Sequence, residues 1–494
     1  MITRRAFAGL LGAASLGART PAPPVGVLVV AEQFRQDYLD RYEHLLGPGG
    51  FRRLMAESAW FTDCRMAAGT FSSSGVATLA TGAWPEVHGI VADRWFDAET
   101  GEARTASWAL LLAPTLCEAA AVSLRPLAMG ASEPLPALFM GRAGHPLVQT
   151  PGEVAPPDWL SKFRDAHDPK RHRNAPWEAL LAPAGAPPMR VIEDNPQRPG
   201  EFEVLYRSSP FALATEAELL RSAVRGELLA PDAEGPPALL FSVWSAPAAL
   251  GYEVGADSPL MREMVLHMDR EIARTLEFLD RQIGPDQYLF AFTAAHGAPS
   301  LPPPRRRAAL TITGETVARA IDRALGEAFD PTGPARNRYV ERYVYPFVYL
   351  RHQTLRARGV SPREARLAAG AAALRVPGVA AYYTSDGDCS RSDGWRDRFA
   401  RGFHHRRSGD LVLAYEPGAV EDFGEGRGVS YGSLYAYDTR VPLMLYGKPF
   451  TADVFGHPVE AVDVAPTLAR AMRVPLPGAA TGRLLDEAFA RGAR

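Results

Sequence analysis

Four runs of consecutive apolar residues constrain the fold of this chain more than any other feature. Each has the length of a strand, and none alternates between apolar and polar residues as a strand with one solvated face would. Such runs are typical of strands that are buried on both faces of a parallel sheet. The sequence therefore predicts a covered, parallel sheet. The four runs are VGVLVV (25–30), PALLFSVW (237–244), QYLFAFTAA (287–295) and VPLMLYG (441–447).

An amphipathic helix is predicted between the second and third runs. Ser258 and Pro259 favour the start of a helix, and Gly284 and Pro285 favour its end. We interpret the methionine-rich stripe between them as a core-facing surface and not as a cofactor site. A strand, a helix and a strand in this order form a βαβ unit, which places the chain in the α/β class. The apolar residues that recur at intervals of three and four are Met261, Met264, Val265, Met268, Ile272, Leu276 and Leu279.

The length of 494 residues allows one large domain with insertions or two domains. We predict a single domain over residues 21–494, with insertions near 140–215 and 300–440, where strands are less clear. A net charge of −2 supplies no general attraction for nucleic acid, so no nucleic-acid partner is expected. The three cysteines match no zinc-ligand spacing and are too few for a disulfide framework, and whether any two of them pair stays open. They are Cys64, Cys117 and Cys389.

The first residues, MITRRAFAGLLGAASLGA, place Arg4 and Arg5 before a short apolar stretch. This pattern resembles a twin-arginine export signal, and the stretch is too short to span a bilayer. We predict a Tat-like signal peptide over residues 1–20 and therefore an exported protein, periplasmic or extracellular. The alternative is a poorly ordered N-terminal helix. No later stretch contains 18 or more consecutive apolar residues, so no membrane span is expected after the signal.

Polar side chains follow three of the predicted strands. Glu32 comes after the first, residues 245–252 after the second, and His296 after the third. Ligands of open α/β sheets bind beyond the carboxyl ends of the strands, so these side chains are expected to share a site. The segment TFSSSGVATLATG (70–82) adds serines before an expected helix start, where free N–H groups suit an anion. The simpler interpretation is that one of these serines only caps the helix.

Several blocks of the sequence resemble the alkaline phosphatase superfamily, in particular the bacterial phosphate-irrepressible phosphatases and the nucleotide pyrophosphatase/phosphodiesterases. Their order and separation match that branch from about residue 25 to 490. The resemblance implies an α/β fold with a mostly parallel central sheet, helices on both faces and inserted cap segments. It also implies two zinc ions with a Thr or Ser nucleophile between them. The blocks are AEQFRQDYL (31–39), FSSSGVATLATG (71–82), VHGI (87–90), LGYEVGADS (250–258), FTAAHG (292–297) and YAYDTRVPLMLYG (435–447).

The resemblance, carried over position by position, leaves few of the family's metal ligands. Glu32 stands where the family has an aspartate ligand, and His296 matches a histidine ligand. Ser72 fills the nucleophile position, and Asp93 fills a phosphate-contact position that the family gives to asparagine. The resemblance assigns Ala248, Tyr252 and Tyr431 to one zinc ion, and Ala295 to the fourth position of the other. These four are the lost ligand positions: Ala248, Tyr252, Ala295 and Tyr431.

One metal site is therefore expected to be erased, while the other keeps three of its four positions. We expect no cofactor, or at most one zinc or other divalent metal, and a catalytically inactive or strongly weakened phosphatase/phosphodiesterase homologue with an unknown ligand or protein partner. The alternative is a residual or altered phosphoric-ester hydrolase that uses Ser72 with His296 and Glu32, with one metal or none. A third interpretation recruits metal ligands from the insertions, with four candidate histidines: His88, His145, His404 and His405.

Overall fold

The computed structural model describes residues 24–152, 154–230, 238–301, 311–331, 338–421 and 431–490. The signal peptide predicted at residues 1–20 lies outside these ranges and stays a prediction. The strands of the described residues are β1 (Val25–Ala31), β2 (Ser58–Arg65), β3 (Arg94–Asp97), β4 (Glu102–Thr105), β5 (Arg125–Gly130), β6 (Leu147–Val148), β7 (Ala175–Trp177), β8 (Arg190–Ile192), β9 (Ala238–Trp244), β10 (Tyr288–Ala294), β11 (Thr311–Ile312), β12 (Val340–Val344), β13 (Phe347–Leu350), β14 (Val379–Thr384), β15 (Leu411–Tyr415), β16 (Val420–Glu421), β17 (Arg440–Tyr446), β18 (Asp453–Phe455) and β19 (Val459–Glu460).

The α-helices that the structure describes surround and connect these strands. They are Asp37–Tyr42, Phe51–Glu57, Ser72–Thr81, Pro85–His88, Leu116–Ala120, Pro134–Met140, Asp158–Ala166, Glu201–Arg207, Pro210–Ala223, Ala246–Val254, Pro259–Gln282, Gly314–Phe329, His352–Ala357, Pro362–Ala373, Trp395–Gly402, Ala436–Thr439 and Val464–Met472. No helix within the described ranges is both long enough and apolar enough to cross a lipid bilayer.

The central sheet has nine strands in the order β18-β2-β17-β10-β1-β9-β5-β6, with β19 also beside β2. All of its pairings are parallel except those of β17, which is antiparallel to β10 and to β2. The α/β prediction with a mostly parallel sheet is confirmed. The expectation that the fourth apolar run lies in a parallel strand is wrong, because an apolar run records burial on both faces and carries no information on direction.

The middle of the sheet consists of three of the predicted strands. Every residue of β1, β9 and β10 is buried, and since successive side chains point to opposite faces, both faces are covered. The register aligns Val29 of β1 with Ser242 of β9 and with Phe292 of β10. The carboxyl ends of the three strands therefore meet at one edge.

The amphipathic helix is confirmed at Pro259–Gln282. The Ser258 side chain accepts a hydrogen bond from the N–H of Leu260, and Pro259 occupies the first turn, as the sequence pattern predicts. The predicted apolar stripe is buried in the main core. The helix packs against Pro210–Ala223 and Ala246–Val254, and its methionine-rich stripe faces the core as predicted.

The segment that follows β10 contains a second, smaller sheet in the order β12-β13-β15-β14, with antiparallel pairing. A separate apolar cluster packs on it, formed with the helices Gly314–Phe329 and Pro362–Ala373. The sequence indicated few clear strands here, because β12 exposes part of its length and β14 alternates between buried and half-buried residues. Weak patterns of this kind are normal for a sheet with one covered face.

Candidate active site

The helix Ser72–Thr81 begins at the edge where the central strands end. Gly75, one turn into this helix, packs against the end of β10. A Cβ atom at Gly75 would lie only 2.1 Å from the carbonyl oxygen of Ala295, so the contact requires a residue without a side chain. This close approach brings Ser72 to the strand ends. Phe71 holds the N-cap position, so none of the three serines is the N-cap residue. Ser74 contributes to capping, since its Oγ accepts the N–H of Phe71 at 3.4 Å, whereas Ser72 does not.

Ser72 lies between an acidic and a basic side chain. Its Oγ atom is 2.7 Å from Oε1 of Glu32 and 3.1 Å from Nε2 of His296. Glu32 follows β1 and His296 lies just beyond β10, and these two strands are neighbours in parallel. The meeting of the three side chains is therefore a consequence of the sheet topology that the sequence predicted.

The tautomer of His296 is set by a backbone carbonyl. Nδ1 lies 2.7 Å from the carbonyl oxygen of Gly297, which can only accept, so we assign the proton to Nδ1. Nε2 then presents a lone pair to the hydroxyl of Ser72. Burial lowers the pKa of His296 to about 4, so the ring is neutral at pH 7.

Burial raises the pKa of Glu32 to about 7, against hydrogen bonds from Ser72 and Ser245 that lower it, and the charge of Asp93 raises it further. When Glu32 is protonated, it can donate to Ser72 and Ser72 can donate to His296. When Glu32 is ionised, the single Ser72 proton points to the carboxylate and Nε2 loses its donor. The acid thus contacts the serine and not the histidine, unlike the acid of a Ser-His-Asp triad.

Asp93 and Tyr431 close the other side of this network. Oδ1 of Asp93 accepts the backbone N–H of Ser73 at 2.9 Å, and Oδ2 accepts the Tyr431 hydroxyl at 3.3 Å. The Tyr431 ring stacks on the His296 ring, with centroids 4.8 Å apart. The charge of Asp93, together with burial, holds the pKa of Tyr431 well above its usual range, so the phenol stays neutral.

Of the four lost ligand positions, Tyr431 belongs to this network and the other three lie on the segments that follow β9 and β10. Ala248 and Tyr252 lie on the helix Ala246–Val254, which follows β9, and Ala295 follows β10. Tyr252 and Tyr431 also line a cavity of about 610 Å³. Its wall combines aromatic and charged side chains with small residues: Phe71, Ala92, Asp93, Arg94, Gly101, Glu102, Ala103, Tyr252, Arg342, Tyr343, Val344, Tyr345 and Tyr431.

Within the part of the chain that the structure describes, no group of three or more His, Cys, Asp or Glu side chains is arranged to hold a metal ion. Three of the four candidate histidines have other contacts, and the fourth, His145, is exposed. His88 accepts the N–H of Ile90 at Nδ1 and contacts the hydroxyl of Thr78, while His404 and His405 stack on each other. The three cysteines are free thiols.

A second buried acid, Glu216, was missed by the sequence analysis. Its carboxyl group accepts the backbone N–H groups of Ser245 and Ala246, at 2.9 and 3.3 Å, at the start of the helix Ala246–Val254. Burial raises the pKa of Glu216 to about 8, and the nearby Glu32 contributes. The available signal was an acidic residue on the apolar face of the helix Pro210–Ala223, a position that needs a specific partner.

The fold is similar to those of solved members of the alkaline phosphatase superfamily. The structure of wild-type alkaline phosphatase PafA matches 95% of this chain and 100% of that chain with a TM-score of 0.79 at 19% identity. Murine ectonucleotide pyrophosphatase/phosphodiesterase 5 matches 94% of this chain and 100% of that chain with a TM-score of 0.58 at 14% identity. At these identities the likeness concerns the fold.

The sequence comparison assigns the family. The chain belongs to the type I phosphodiesterase / nucleotide pyrophosphatase family, whose sequence model matches residues 27–426. Among its relatives, alkaline phosphatase PafA of Elizabethkingia meningoseptica is 23% identical, over 98% of this chain and 97% of the relative. Alkaline phosphatase PhoV of Synechococcus elongatus is 20% identical, over 94% of this chain and 92% of the relative.

Proposed function

We propose that this chain is a phosphatase-fold protein that has lost two-zinc catalysis and is inactive or strongly weakened toward phosphate esters. The observation that carries the proposal is the position of Tyr431, whose ring stacks on His296 while its hydroxyl pairs with Asp93. At this position the resemblance expects a histidine ligand. Zinc binds about four N, S or O ligands, and methyl groups and neutral phenols do not replace them.

The two acidic side chains near Ser72 also disfavour a phosphate ester at the serine itself, whereas the wall of the adjoining cavity carries two cations as well, Arg94 and Arg342. Glu32 and Asp93 are both acidic, and both lie close enough to Tyr431 for their charges to raise the pKa of its phenol. A carboxylate about 5 Å from a phosphate charge costs roughly 3 kcal/mol at an effective dielectric constant near 20. In the two-zinc enzymes of the superfamily, the metal ions would supply the opposing charge. A protein of this kind would act by binding a ligand in the 610 Å³ cavity or by binding a protein partner.

The test combines metal analysis with activity. Purified protein is supplemented with zinc, dialysed and analysed by mass spectrometry, and then assayed with p-nitrophenyl phosphate and its diester. We expect far less than one zinc ion per chain and no turnover above that of Ser72→Ala. Two zinc ions per chain with turnover comparable to that of PafA, assayed in parallel, would refute the proposal.

A variant that restores the ligands provides a positive control. The four changes Ala248→Asp, Tyr252→His, Ala295→Asp and Tyr431→His, made together with Glu32→Asp, recreate the ligand set that the resemblance implies. If this variant folds and binds zinc while the natural chain does not, the difference lies in these side chains. If neither binds zinc, the metal assay is repeated on PafA before the result is interpreted.

A second candidate function has a specific observation in its favour. The distance of 3.1 Å between Oγ of Ser72 and Nε2 of His296 is a hydrogen-bond distance, and Nε2 has the lone pair that a general base needs. We propose metal-free hydrolysis through Ser72 as the alternative. Covalent labelling of Ser72 by a fluorophosphonate probe, lost in His296→Ala and in Ser72→Ala, supports it. Absence of labelling at every pH between about 5 and 9 contradicts it.

Export is a separate part of the proposal. It is supported by the Arg4-Arg5 pair and the short apolar stretch that follows. The full-length chain is expressed in a bacterium with a twin-arginine system, and its location is compared with that of an Arg4→Lys, Arg5→Lys variant. We expect only the natural chain in the periplasmic or secreted fraction, and equal distribution of the two would contradict the signal.

A further inference from the structure

A second cavity of about 370 Å³ lies at the ends of β2 and the start of β17, and its wall carries four arginines. Because β17 is antiparallel to β2, the end of β2 and the start of β17 are paired at the same edge of the sheet, with Arg65 opposite Arg440. The helix Trp395–Gly402 supplies Arg398 and Arg401 from the other side. The lining residues are Arg65, Met66, Ala67, Arg398, Arg401, Ala436, Thr439, Arg440 and Glu460.

The carboxylates near this cavity do not balance its arginines. Asp63 pairs with both Arg65 and Arg440, whose closest contacts to it are 2.6 and 2.8 Å. Glu460 pairs with Arg401. Counted over the wall residues and their ion-pair partners, four guanidinium groups and two carboxylates leave two positive charges in excess, while Asp40 acts on Arg440 without forming an ion pair.

Arg398 has no ion-pair partner among the described residues. Its hydrogen bond goes to the carbonyl oxygen of Leu434, at 2.7 Å, which leaves most of its five N–H donors available. Burial lowers the pKa of Arg398 to about 10, and the charges of Arg65 and Arg401 lower it further. A half-buried cation that faces two like charges is unfavourable unless an anion occupies the space between them.

We propose that this cavity binds a small molecule through a phosphoryl group, separately from the Ser72 site. A phosphate monoester carries about two negative charges at neutral pH, which matches the excess of the wall. Planar guanidinium groups match the geometry of phosphate oxygens through paired hydrogen bonds, which favours a phosphoryl ligand over a simple halide. The volume of about 370 Å³ holds more than the phosphoryl group alone. The inference does not depend on whether the Ser72 site is active.

The cavity also borders the segment that leads to the Ser72 helix. Met66 and Ala67 form part of its wall, and the chain reaches Ser72 five residues later. The N–H of Ala68 donates to the carbonyl oxygen of Arg398, so the arginine helix and this segment are already joined. Amide exchange in residues 66–70 therefore reports occupation of the cavity without any use of catalytic activity.

The test measures binding of inorganic phosphate and of glycerol phosphate by calorimetry at constant ionic strength, with succinate and chloride as competing classes of anion. We expect phosphate compounds to bind, with slower amide exchange in residues 66–70. Arg398→Met and Arg440→Met are each expected to weaken binding by about tenfold or more, since each removes charge-assisted hydrogen bonds. The control Arg470→Met removes an arginine outside the cavity and should leave binding unchanged.

One further measurement checks that the variants fold. Two others distinguish phosphoryl binding in this cavity from binding at the Ser72 site and from general attraction of anions. Arg398→Met should retain its fold, because it removes one hydrogen bond to Leu434 together with a cation that has no ion-pair partner among the described residues, and Arg440→Met provides an independent variant if it does not. Ser72→Ala should leave the affinity unchanged, whereas loss of binding in that variant would place the anion in the Ser72 site. Equal responses to phosphate, succinate and chloride, or affinities that neither arginine variant changes, would overturn the proposal.

Discussion

The ring of Tyr431 lies face to face with the ring of His296, with an angle of 14° between their planes. Through its hydroxyl, the same tyrosine contacts Asp93, and Asp93 in turn accepts the N–H of Ser73. A single phenol therefore links the end of β10 to the first turn of the Ser72 helix. Side-chain contacts and one backbone N–H thus connect these two elements.

If the hydrogen bond between Tyr431 and Asp93 stabilises the fold, removal of the Tyr431 hydroxyl should lower the free energy of unfolding. We expect Tyr431→Phe to reduce the free energy of unfolding by about 1 kcal/mol, because the hydrogen bond to Asp93 is lost while the ring stack is kept. The measurement is urea denaturation at pH 7. Tyr435→Phe is the matched control, since no described residue forms a hydrogen bond with the Tyr435 hydroxyl. Equal stability losses in the two variants would refute the role of the Asp93 contact.

The ionisation of Glu32 should respond in opposite directions to its two neighbours. Its pKa of about 7 is lowered by the Ser72 hydrogen bond and raised by the Asp93 charge. Ser72→Ala should therefore move the midpoint up, and Asp93→Asn should move it down, each by about 0.5 to 1 pH unit. Carbon NMR of labelled glutamate follows the titration, with Glu32→Gln to assign the signal. Shifts of the same sign in both variants would contradict the proposed geometry.

Much of this site could be predicted from the sequence, but the stacking of Tyr431 on His296 could not. Buried apolar runs predicted β1, β9 and β10, and the strand-end rule then brought Glu32 and His296 together. Ser72 followed from the resemblance and from the small residues at a helix start. The direction of β17 was not predictable, because an apolar run is the same in either direction. The stacking of Tyr431 depends on that direction, since the start of an antiparallel strand lies at the edge where its neighbours end.

The partners of Glu216 were not predictable for a different reason, although its acidic side chain on an apolar helix face was a signal that it needed some. Its partners are backbone N–H groups at the start of the helix after β9, and any residue type can supply these. The four-stranded sheet was missed because half-covered strands give weak apolar patterns. Sequence patterns thus located the groups that follow buried strands, whereas contacts made through backbone groups required the structure.

Glu216 should lower the stability of the protein as the pH rises from about 5 to 8, and Glu32, whose pKa is about 7, contributes in the same direction. The folded pKa of Glu216, about 8, lies above the ordinary value of 4.5, so the folded state binds more protons than the unfolded state in this range and stability decreases as pH rises. From pH 6 to the folded pKa the loss is about 2 to 3 kcal/mol, at 1.36 kcal/mol per unit. We expect Glu216→Gln to flatten this slope, as measured by denaturation at each pH. The absolute stability of the variant is lower at pH 6, because the amide cannot accept from both N–H groups. An unchanged slope would show that Glu216 is not the titrating group.

The close contact of Gly75 with β10 predicts that any side chain there disturbs the site. In Gly75→Ala the new Cβ would meet the backbone oxygen of Ala295 at 2.1 Å, and since a backbone cannot rotate away, the Ser72 helix must shift. We expect a loss of about 2 to 3 kcal/mol in the free energy of unfolding and an altered His296 ring signal in NMR.

Gly326→Ala is the matched control, because Gly326 also lies in a helix interior and a Cβ atom there meets no neighbour within 4 Å. That substitution should stabilise the protein by about 0.5 to 1 kcal/mol, since alanine favours the helix. If Gly75→Ala has the same sign as Gly326→Ala, the helix is not held against β10 in solution, and the hydrogen-bonded contact between Ser72 and His296 is not maintained.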